Sequence, residues 1–336
     1  METGGEIHKL RRSSFPPCFR GGLRGGHDDR LAMKTIALSI SRPVREQLWG
    51  EPHRSSFPPC FRGRLRGGHF VARTLAVFER ACNLVAPDGD VMALVIPQVG
   101  DGPFNVVVDG AAGCFDEIEP GAQAALEGER LRVGGLEVEL GAATVWEPRP
   151  DWDALRAPHV LCATIEPRLR LLRALCLRYA PAPGLLALLE PPPPGDALAG
   201  AVLATVREAV AALRDGWGGD LARLQEGAVK LAGLGHGLTP SGDDYLSGVM
   251  LWAWLAHPDP APFCRALSQA AAPRTTTLSA AFLRAAAQGE CGAAWHALLA
   301  ALGEGDEAEI AAAAQDIVRF GATSGADSLA GFLIAT

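Results

Sequence analysis

The strongest constraint on the fold is a change of hydrophobic pattern near residue 150. Before it, short β-branched runs are separated by Asp-Gly, Gly-Gly and Gly-Ala pairs, which are typical of strands joined by tight turns. The runs are "VMALVIPQ" (91–98), "FNVVVD" (104–109), "LRVGGLEVEL" (131–140) and "ATVWEP" (143–148). We predict an antiparallel β-rich half that forms a small barrel or a sandwich.

After this point, alanine and leucine dominate and apolar residues recur at the spacing of an α-helix. A proline run at 191–194, followed by Gly195, indicates a linker or a helix-hairpin loop. The chain is therefore predicted to be α+β, with the β-rich half followed by an all-helical bundle. Helices are predicted at 198–213, 221–231, 245–256, 261–271, 278–287, 293–302 and 307–320.

The first 70 residues contain a duplicated motif, "RSSFPPCFRGGLRGGH" at 12–27 and "RSSFPPCFRGRLRGGH" at 54–69. The motif has no hydrophobic period and cannot build a core, so we expect a disordered or loosely packed segment. A translated dispersed DNA repeat and an RNA-binding arm are both compatible with it. Because "MKTIALSISRPV" between the copies reads as ordinary protein, translation starts at either Met1 or Met33. Domains are predicted at 1–70, 71–150 and 151–336.

Charge and cysteine usage restrict the class of protein. Residues 1–70 carry 13 Lys/Arg against 6 Asp/Glu, whereas the rest carries 18 against 32, so the body should repel a phosphate backbone. The longest strongly apolar stretch, 245–256, is too short to cross a bilayer. The eight cysteines contain no Cys-x-x-Cys pair, which favours reduced thiols. We expect a cytoplasmic protein that binds neither nucleic acid nor membrane.

The most unusual stretch is "GLGHGLTPSGDDYLSG", residues 233–248. Thr239 is predicted to cap a helix and Pro240 to be its first residue, with two aspartates in the first turn, where the helix dipole favours negative charge. Capping does not explain the alternating glycines before it, nor Gly242 inside the first turn. Such glycines let backbone N–H groups approach an anion, so we predict a binding site here.

A second helix start repeats the pattern. "SGADSLAG" at 324–331 matches "SGDDYLSG" at 241–248 as Ser-Gly-x-Asp-x-Leu-x-Gly, at a constant offset of 83 residues. One explanation is two similarly capped helices that pack through the small residues Gly248 and Gly331. The other is a pseudo-twofold site in which four side chains converge, namely Ser241, Asp244, Ser324 and Asp327.

The chemistry of these residues limits the ligand. Helix N-termini call for an anion, which the aspartates would repel. Either Mg²⁺ bridges the carboxylates to a phosphate, or the ligand is anionic at one end and carries N–H donors at the other. Because neighbouring helical residues point about 100° apart, Asp244, in phase with Asp327, is placed on the ligand side. Asp243 is predicted to be a capping charge or a support behind the ligand.

Together with "GDGPFNVVV" (100–108), "AVFERACNLVAPDG" (76–89), "TTTLSAAFLRAAAQGE" (275–290) and "FGATSGADSLAG" (320–331), the glycine-rich stretch resembles the family that includes the AllH subunit of oxamate carbamoyltransferase. The resemblance runs from about residue 70 to the end. It implies purine and allantoin nitrogen catabolism, in which oxalurate and phosphate give oxamate and carbamoyl phosphate. It also implies partner subunits of the AllF/FdrA and AllG types, and many family members are known only as domains of unknown function.

This chain departs from the family pattern, as we know it, at two positions. His236 stands where proline is more usual, which argues against a catalytic role for this histidine and for one at the solvent edge or behind the ligand. Asp101 replaces an asparagine in a turn that either residue suits. Asn105 matches the family, and it either satisfies that turn or contacts the ligand.

Carbamoyl transfer needs orientation and charge stabilisation more than covalent chemistry. On the resemblance, we expect Asp244, Asp327 and Ser241 to be catalytic, with the aspartates accepting ligand N–H groups or binding Mg²⁺. The Gly235 and Gly237 amides and the Thr239 hydroxyl would donate to an oxyanion or phosphate, and Arg274 or Arg284 could supply a cation. The remaining predicted ligand-binding residues are Gly242, Asp243, Ser324, Gly325 and Asn105.

Three functions fit these residues. The first is an oxamate carbamoyltransferase-type subunit that is active only in a complex. The second is a non-catalytic or regulatory subunit that binds a metabolite. The third, a Mg²⁺-dependent phosphotransferase or hydrolase acting alone, lacks the lysine of a Walker loop.

Overall fold

A computed structural model describes residues 33–50, 70–156, 165–180, 184–189 and 197–334. Both copies of the duplicated motif, predicted to be disordered, lie outside the described residues. The proline run at 191–194 also lies outside them.

A β-barrel forms the first part of the described chain. Eight strands close into a ring in the order β1-β5-β4-β3-β2-β6-β7-β8, and β9 extends the sheet beside β1. The prediction of a β-rich half in barrel or sandwich form is thus confirmed as a barrel. The strands are β1 Met33–Ser41, β2 Val71–Phe78, β3 Ala81–Val85, β4 Val91–Val95, β5 Asn105–Val108, β6 Gln123–Glu127, β7 Arg130–Val133, β8 Leu136–Glu139 and β9 Thr144–Trp146.

The sequence predicted an antiparallel β-rich half, but some of the strands in the barrel pair parallel. Strand β1 closes the ring by pairing antiparallel to β5 and parallel to β8 and β9, and β4 also pairs parallel to β5. Turn residues report the direction of consecutive strands only, whereas β1 meets partners that lie more than 60 residues away. This strand falls within the range 1–70, between the two copies of the duplicated motif, and its Ala37 and Ile40 are buried in the barrel core.

The second part of the described chain is a helical bundle, as predicted. The periodic segments form helices with ends within a few residues of the expected positions, and 165–179 adds a helix that the pattern did not single out. The helices are α1 Arg42–Trp49, α2 Trp152–Leu155, α3 Ile165–Tyr179, α4 Ala197–Trp217, α5 Leu221–Leu231, α6 Ser241–Ala256, α7 Pro260–Ala271, α8 Thr277–Ala287, α9 Ala293–Gly303, α10 Glu307–Val318 and α11 Ser324–Ile334, with 3-10 helices at Gly184–Leu189 and Ala272–Arg274.

Helix α6 runs through the middle of this bundle. Twelve of its 16 residues are buried, so it is apolar on all sides, as a central helix must be. No helix in the described residues is long and apolar enough to span a membrane. Five cysteines in the described ranges are free thiols, namely Cys82, Cys114, Cys176, Cys264 and Cys291.

The barrel and the bundle meet at a small apolar cluster. Phe104 of the barrel packs edge-to-face on Phe282 of α8, with ring centroids 5.2 Å apart. Leu238, from the glycine-rich stretch, packs into the same cluster beside Val91 of β4 and Leu278 of α8. The barrel therefore supports the loop that precedes α6.

Candidate functional site

The loop before α6 depends on three glycines. Gly233, Gly235 and Gly237 have φ angles of +70°, +123° and +95°, in the region where a side chain is strained. A Cβ atom at Gly235 would also lie 2.7 Å from the backbone nitrogen of Ser241, whereas one at Gly237 would meet no atom within 4 Å. Residues 235–237 are exposed. The alternating glycines thus fold residues 233–237 into a tight arch. Its tip, with His236, faces open space.

Helix α6 begins four residues before the apolar periodicity at 245–256 and one residue after the start that the capping signals predicted. Its first residue is Ser241, and Pro240 occupies the capping position without a side-chain hydrogen bond. The predictions that Thr239 caps the helix and that Pro240 is its first residue are therefore wrong. Pro240 is extended, with ψ 142°, and its carbonyl accepts the N–H groups of Asp243 and Asp244. The Thr239 hydroxyl is left to meet Ser324 at the start of α11, with the two oxygens 3.0 Å apart.

Helices α6 and α11 pack side by side with both N-termini at one end. A Cβ atom at Gly248 would overlap the carbonyl of Ser328, and one at Gly331 would overlap the carbonyl of Tyr245. These contacts are the same contact seen from either helix, because 245 and 248 become 328 and 331 at the offset of 83. The Thr239–Ser324 contact fixes the direction as parallel. The small residues therefore pack as the first explanation expected, and the packing also brings the two Ser-Gly-x-Asp starts together.

Asp243 ties the glycine arch to α8. Its carboxylate is almost fully buried and accepts hydrogen bonds from the Gly233 backbone N–H (3.0 Å), the Ser279 hydroxyl (2.8 Å) and the Thr275 hydroxyl. Three donors stabilise a buried charge that would otherwise be costly. The contacts of Asp243 are thus those of a support for the loop.

Asp244 points toward the other helix start. Burial disfavours the charge of its carboxylate, as do Asp327 and Asp243, whereas the nearby hydroxyls of Ser324 and Thr239 favour it. Burial is the largest of these effects, and together they raise the pKa of Asp244 to about 8. Its Oδ2 atom is buried and has no hydrogen-bond partner.

Asp327 has the corresponding arrangement on α11, and it is less exposed to solvent than Asp244. The side chain is fully buried, and its Oδ1 accepts the backbone N–H of Leu185, from the 3-10 helix 184–189, at 2.6 Å. Burial raises the pKa of Asp327, although the Leu185 N–H and the nearby hydroxyls of Ser241 and Thr323 favour its charged form. Its Oδ2 atom, like that of Asp244, is buried without a partner. The hydroxyl of each serine therefore lies near the aspartate of the opposite helix and favours its charge.

The two motif glycines act through backbone packing. A Cβ atom at Gly242 would overlap the carbonyl of Leu231, and one at Gly325 would overlap that of Ile317. Each helix start is thus pressed against the end of the helix before it. The Gly242 N–H donates to the Leu234 carbonyl, which closes the arch.

The described contacts of three other candidate residues are with groups outside the serine–aspartate pairs. The Asn105 amide donates to the Gly100 carbonyl at 2.7 Å, so it satisfies its own turn, one of the two roles expected of it. Burial lowers the pKa of the Arg284 guanidinium overall, although the nearby Asp90 carboxylate raises it. The Arg274 guanidinium donates to Ala270 within its own helical segment.

Sequence reasoning missed four residues that complete the site. Thr275 and Ser279 belong to a threonine- and serine-rich helix start that could have been noticed as a source of donors. Thr323 directly precedes the second motif, a position that could have drawn attention to its hydroxyl. No local signal connects Leu185 with Asp327, 142 residues away.

The arrangement offers a ligand two serine hydroxyls at half-exposed positions, with the N-termini of two helices converging on them. Anions bind well at such N-termini. No cluster of three or more metal-ligating side chains occurs in the described part of the chain. Two carboxylates could hold Mg²⁺ only if water and substrate oxygens completed its shell.

Comparison with protein families agrees with this architecture. Residues 231–336 match the model of the oxamate carbamoyltransferase subunit AllH, and residues 56–145 match the AllH family N-terminal domain. The two matches together cover more than half of the chain. The chain belongs to the AllH family. The AllH match contains both Ser-Gly-x-Asp helix starts. The N-terminal-domain match contains strands β2 to β8 and the first two residues of β9. Searches of curated proteins and of solved structures gave no match.

Proposed function

We propose that this AllH-family chain is a subunit of an oxamate carbamoyltransferase-like enzyme. The reaction would convert oxalurate and phosphate to oxamate and carbamoyl phosphate, in purine and allantoin nitrogen catabolism. A family defined by a subunit implies partner subunits, and we propose that these are of the AllF/FdrA and AllG types. The enzyme would act in the cytoplasm.

One observation carries the proposal: the two Ser-Gly-x-Asp starts lie side by side, with each aspartate near the opposite serine, beside an arch that faces open space. Oxalurate, oxamate and carbamoyl phosphate are each anionic at one end and amide-bearing at the other. Converging helix N-termini suit the anion, and serine oxygens backed by buried carboxylates suit the amide. A ligand of this class therefore resolves the conflict between helix dipoles and acids that the sequence posed.

The site would contribute orientation and charge stabilisation. Ser241 and Ser324 would contact the ligand, and the aspartates would fix which way each hydroxyl points. The exposed Gly235 and Gly237 amides would face a phosphate or oxyanion at the arch. Holding two reactants in line accounts for much of the rate enhancement in reactions of this type.

The test is to assay carbamoyl phosphate formation from oxalurate and phosphate with the purified chain, alone and mixed with AllF/FdrA-type and AllG-type subunits. We expect turnover only in the mixture, and its loss in Ser241→Ala. Oxamate binding without turnover in any mixture would instead indicate a metabolite-binding or regulatory subunit. Turnover by the chain alone would contradict the dependence on partners.

A further inference from the structure

The two halves of the serine–aspartate site share a plan but differ in their surroundings. In each half, the hydroxyl of a half-exposed serine lies near the carboxyl group of an aspartate on the opposite helix, Ser241 near Asp327 and Ser324 near Asp244. Both aspartates leave one buried oxygen without a hydrogen-bond partner. Asp327 alone also accepts a backbone N–H, that of Leu185.

This difference decides which aspartate keeps its charge. Asp327 has a backbone N–H and two hydroxyl donors, and hydrogen bonds to a carboxylate favour its charged form. Asp244 has only hydroxyl donors among its described contacts, and it faces Asp327 from α11 and Asp243 from its own helix. Burial raises the pKa of both carboxyls, and two neighbouring carboxylates do not both ionise readily, so Asp244, which has fewer donors, binds a proton more readily than Asp327.

The charge of each aspartate sets what its serine offers to a ligand. A serine that donates its O–H to a charged carboxylate presents only oxygen lone pairs outward, and it accepts an N–H. A serine beside a protonated carboxyl can accept from that carboxyl and turn its own O–H outward, where it donates to an anion.

We propose that the two half-sites read opposite ends of one ligand: Ser241, held by Asp327, accepts the N–H of a carboxamide, and Ser324, held by Asp244, donates to a carboxylate. This inference rests on the proposed function and deepens it. The ligand class is a small planar acid amide, bound in a single orientation across the pseudo-twofold axis. The Thr239 hydroxyl, beside Ser324, belongs to the carboxylate half.

Three probes of nearly equal size test the orientation: oxamate, with one acid and one amide end, oxalate, with two acids, and oxamide, with two amides. Calorimetry near neutral pH measures the binding of each probe to the full chain, in complex with any partner subunits that co-purify. We expect oxamate to bind tightest. Ser241→Ala should weaken oxamide and oxamate about tenfold and oxalate little, because one hydrogen bond to the amide end is lost. Ser324→Ala should weaken oxalate and oxamate and leave oxamide nearly unchanged.

Isosteric aspartate variants provide a second, matched pair. Asp327→Asn removes the fixed charge that makes Ser241 an acceptor, whereas Asp244→Asn resembles the protonated carboxyl. The first should therefore reduce the preference for oxamate over oxalate more than the second does. Circular dichroism of each variant checks that the fold is retained.

Two results would overturn the inference. If Ser241→Ala and Ser324→Ala weakened all three probes in the same proportions, the half-sites would be equivalent, although carbamoyl phosphate formation by the mixed subunits would leave the proposed function standing. If oxamate bound no better than oxalate or oxamide to the wild-type chain, a single orientation would also be excluded. Absence of both probe binding and turnover would remove the proposed function and this inference together.

Discussion

At the scale of single residues, the adjacent acids of the first motif have different tasks. Asp243 is buried under three donors and fastens the arch to α8, while Asp244 faces the opposite helix start and is short of donors. The helical rotation of about 100° between neighbours separates the two tasks. This separation was predicted from the sequence, but the identity of the partners was not.

The raised pKa of Asp244 leads to a prediction about stability and pH. A carboxyl with a pKa of about 8 in the folded state and near 4 in the unfolded state binds its proton more tightly when folded. Its contribution is therefore fully present below about pH 4 and is lost as the pH rises to about 8. Because Asp244→Asn cannot ionise, we expect the free energy of unfolding of the variant to gain on that of the wild type through this window. The gain is at most about 1.4 kcal/mol per pH unit.

Urea unfolding at a series of pH values measures this difference. Asp153→Asn, at an exposed aspartate in the first turn of α2, is the matched control, and we expect it to follow the wild type. A constant difference between Asp244→Asn and the wild type from pH 4 to pH 8 would show that Asp244 is already ionised throughout.

At the scale of secondary structure elements, the site is created by the close approach of α6 and α11. Glycine at 248 and 331 lets the backbones of the two helices come into direct contact. The strength of this contact follows from dispersion between many atoms that a single methyl group would force apart. The close packing of the two helices therefore also places the two serines near each other.

We expect Gly248→Ala to destabilise the protein by about 1–3 kcal/mol, although alanine is the better helix former, because its methyl group would overlap the Ser328 carbonyl. Chemical denaturation measures the change. Ser247→Ala, at the neighbouring half-exposed position, keeps the helix and removes only one hydroxyl, so its effect should be much smaller. Equal stability of Gly248→Ala and the wild type would mean that the two helices can separate without cost.

At the scale of the whole molecule, the barrel supports the bundle at the glycine-rich arch. Leu238 leaves the arch and packs between β4 and α8, and Phe104 of the barrel completes that cluster. A second contact joins the parts where the Ala293 backbone N–H of the bundle donates to the Asp101 carbonyl of the barrel at 3.0 Å. The site thus depends on a part of the chain that contributes no residue to the serine–aspartate pairs.

We expect Phe104→Ala to lower the free energy of unfolding by about 2 kcal/mol, because a half-buried aromatic contact is lost, and to weaken oxamate binding through the loosened arch. Thermal unfolding and calorimetry measure the two effects. Phe78→Ala removes a phenylalanine that is 51% exposed on the β2–β3 hairpin, and it should change neither quantity appreciably. Unchanged oxamate affinity in a destabilised Phe104→Ala protein would show that the arch does not need the barrel.

The sequence by itself determined the order of a β-rich half and a helical bundle, because periods of 2 and 3.6 residues are written locally in the chain. It also determined that two helix starts carry the same chemistry, since a repeated motif needs no structure to be seen. Only the tertiary structure decided that β1 closes the barrel, that α6 and α11 lie parallel, and that each serine lies near the aspartate of the other helix. Those contacts join residues 66 to 105 positions apart, and they depend on which backbones can approach closely, which no local pattern records.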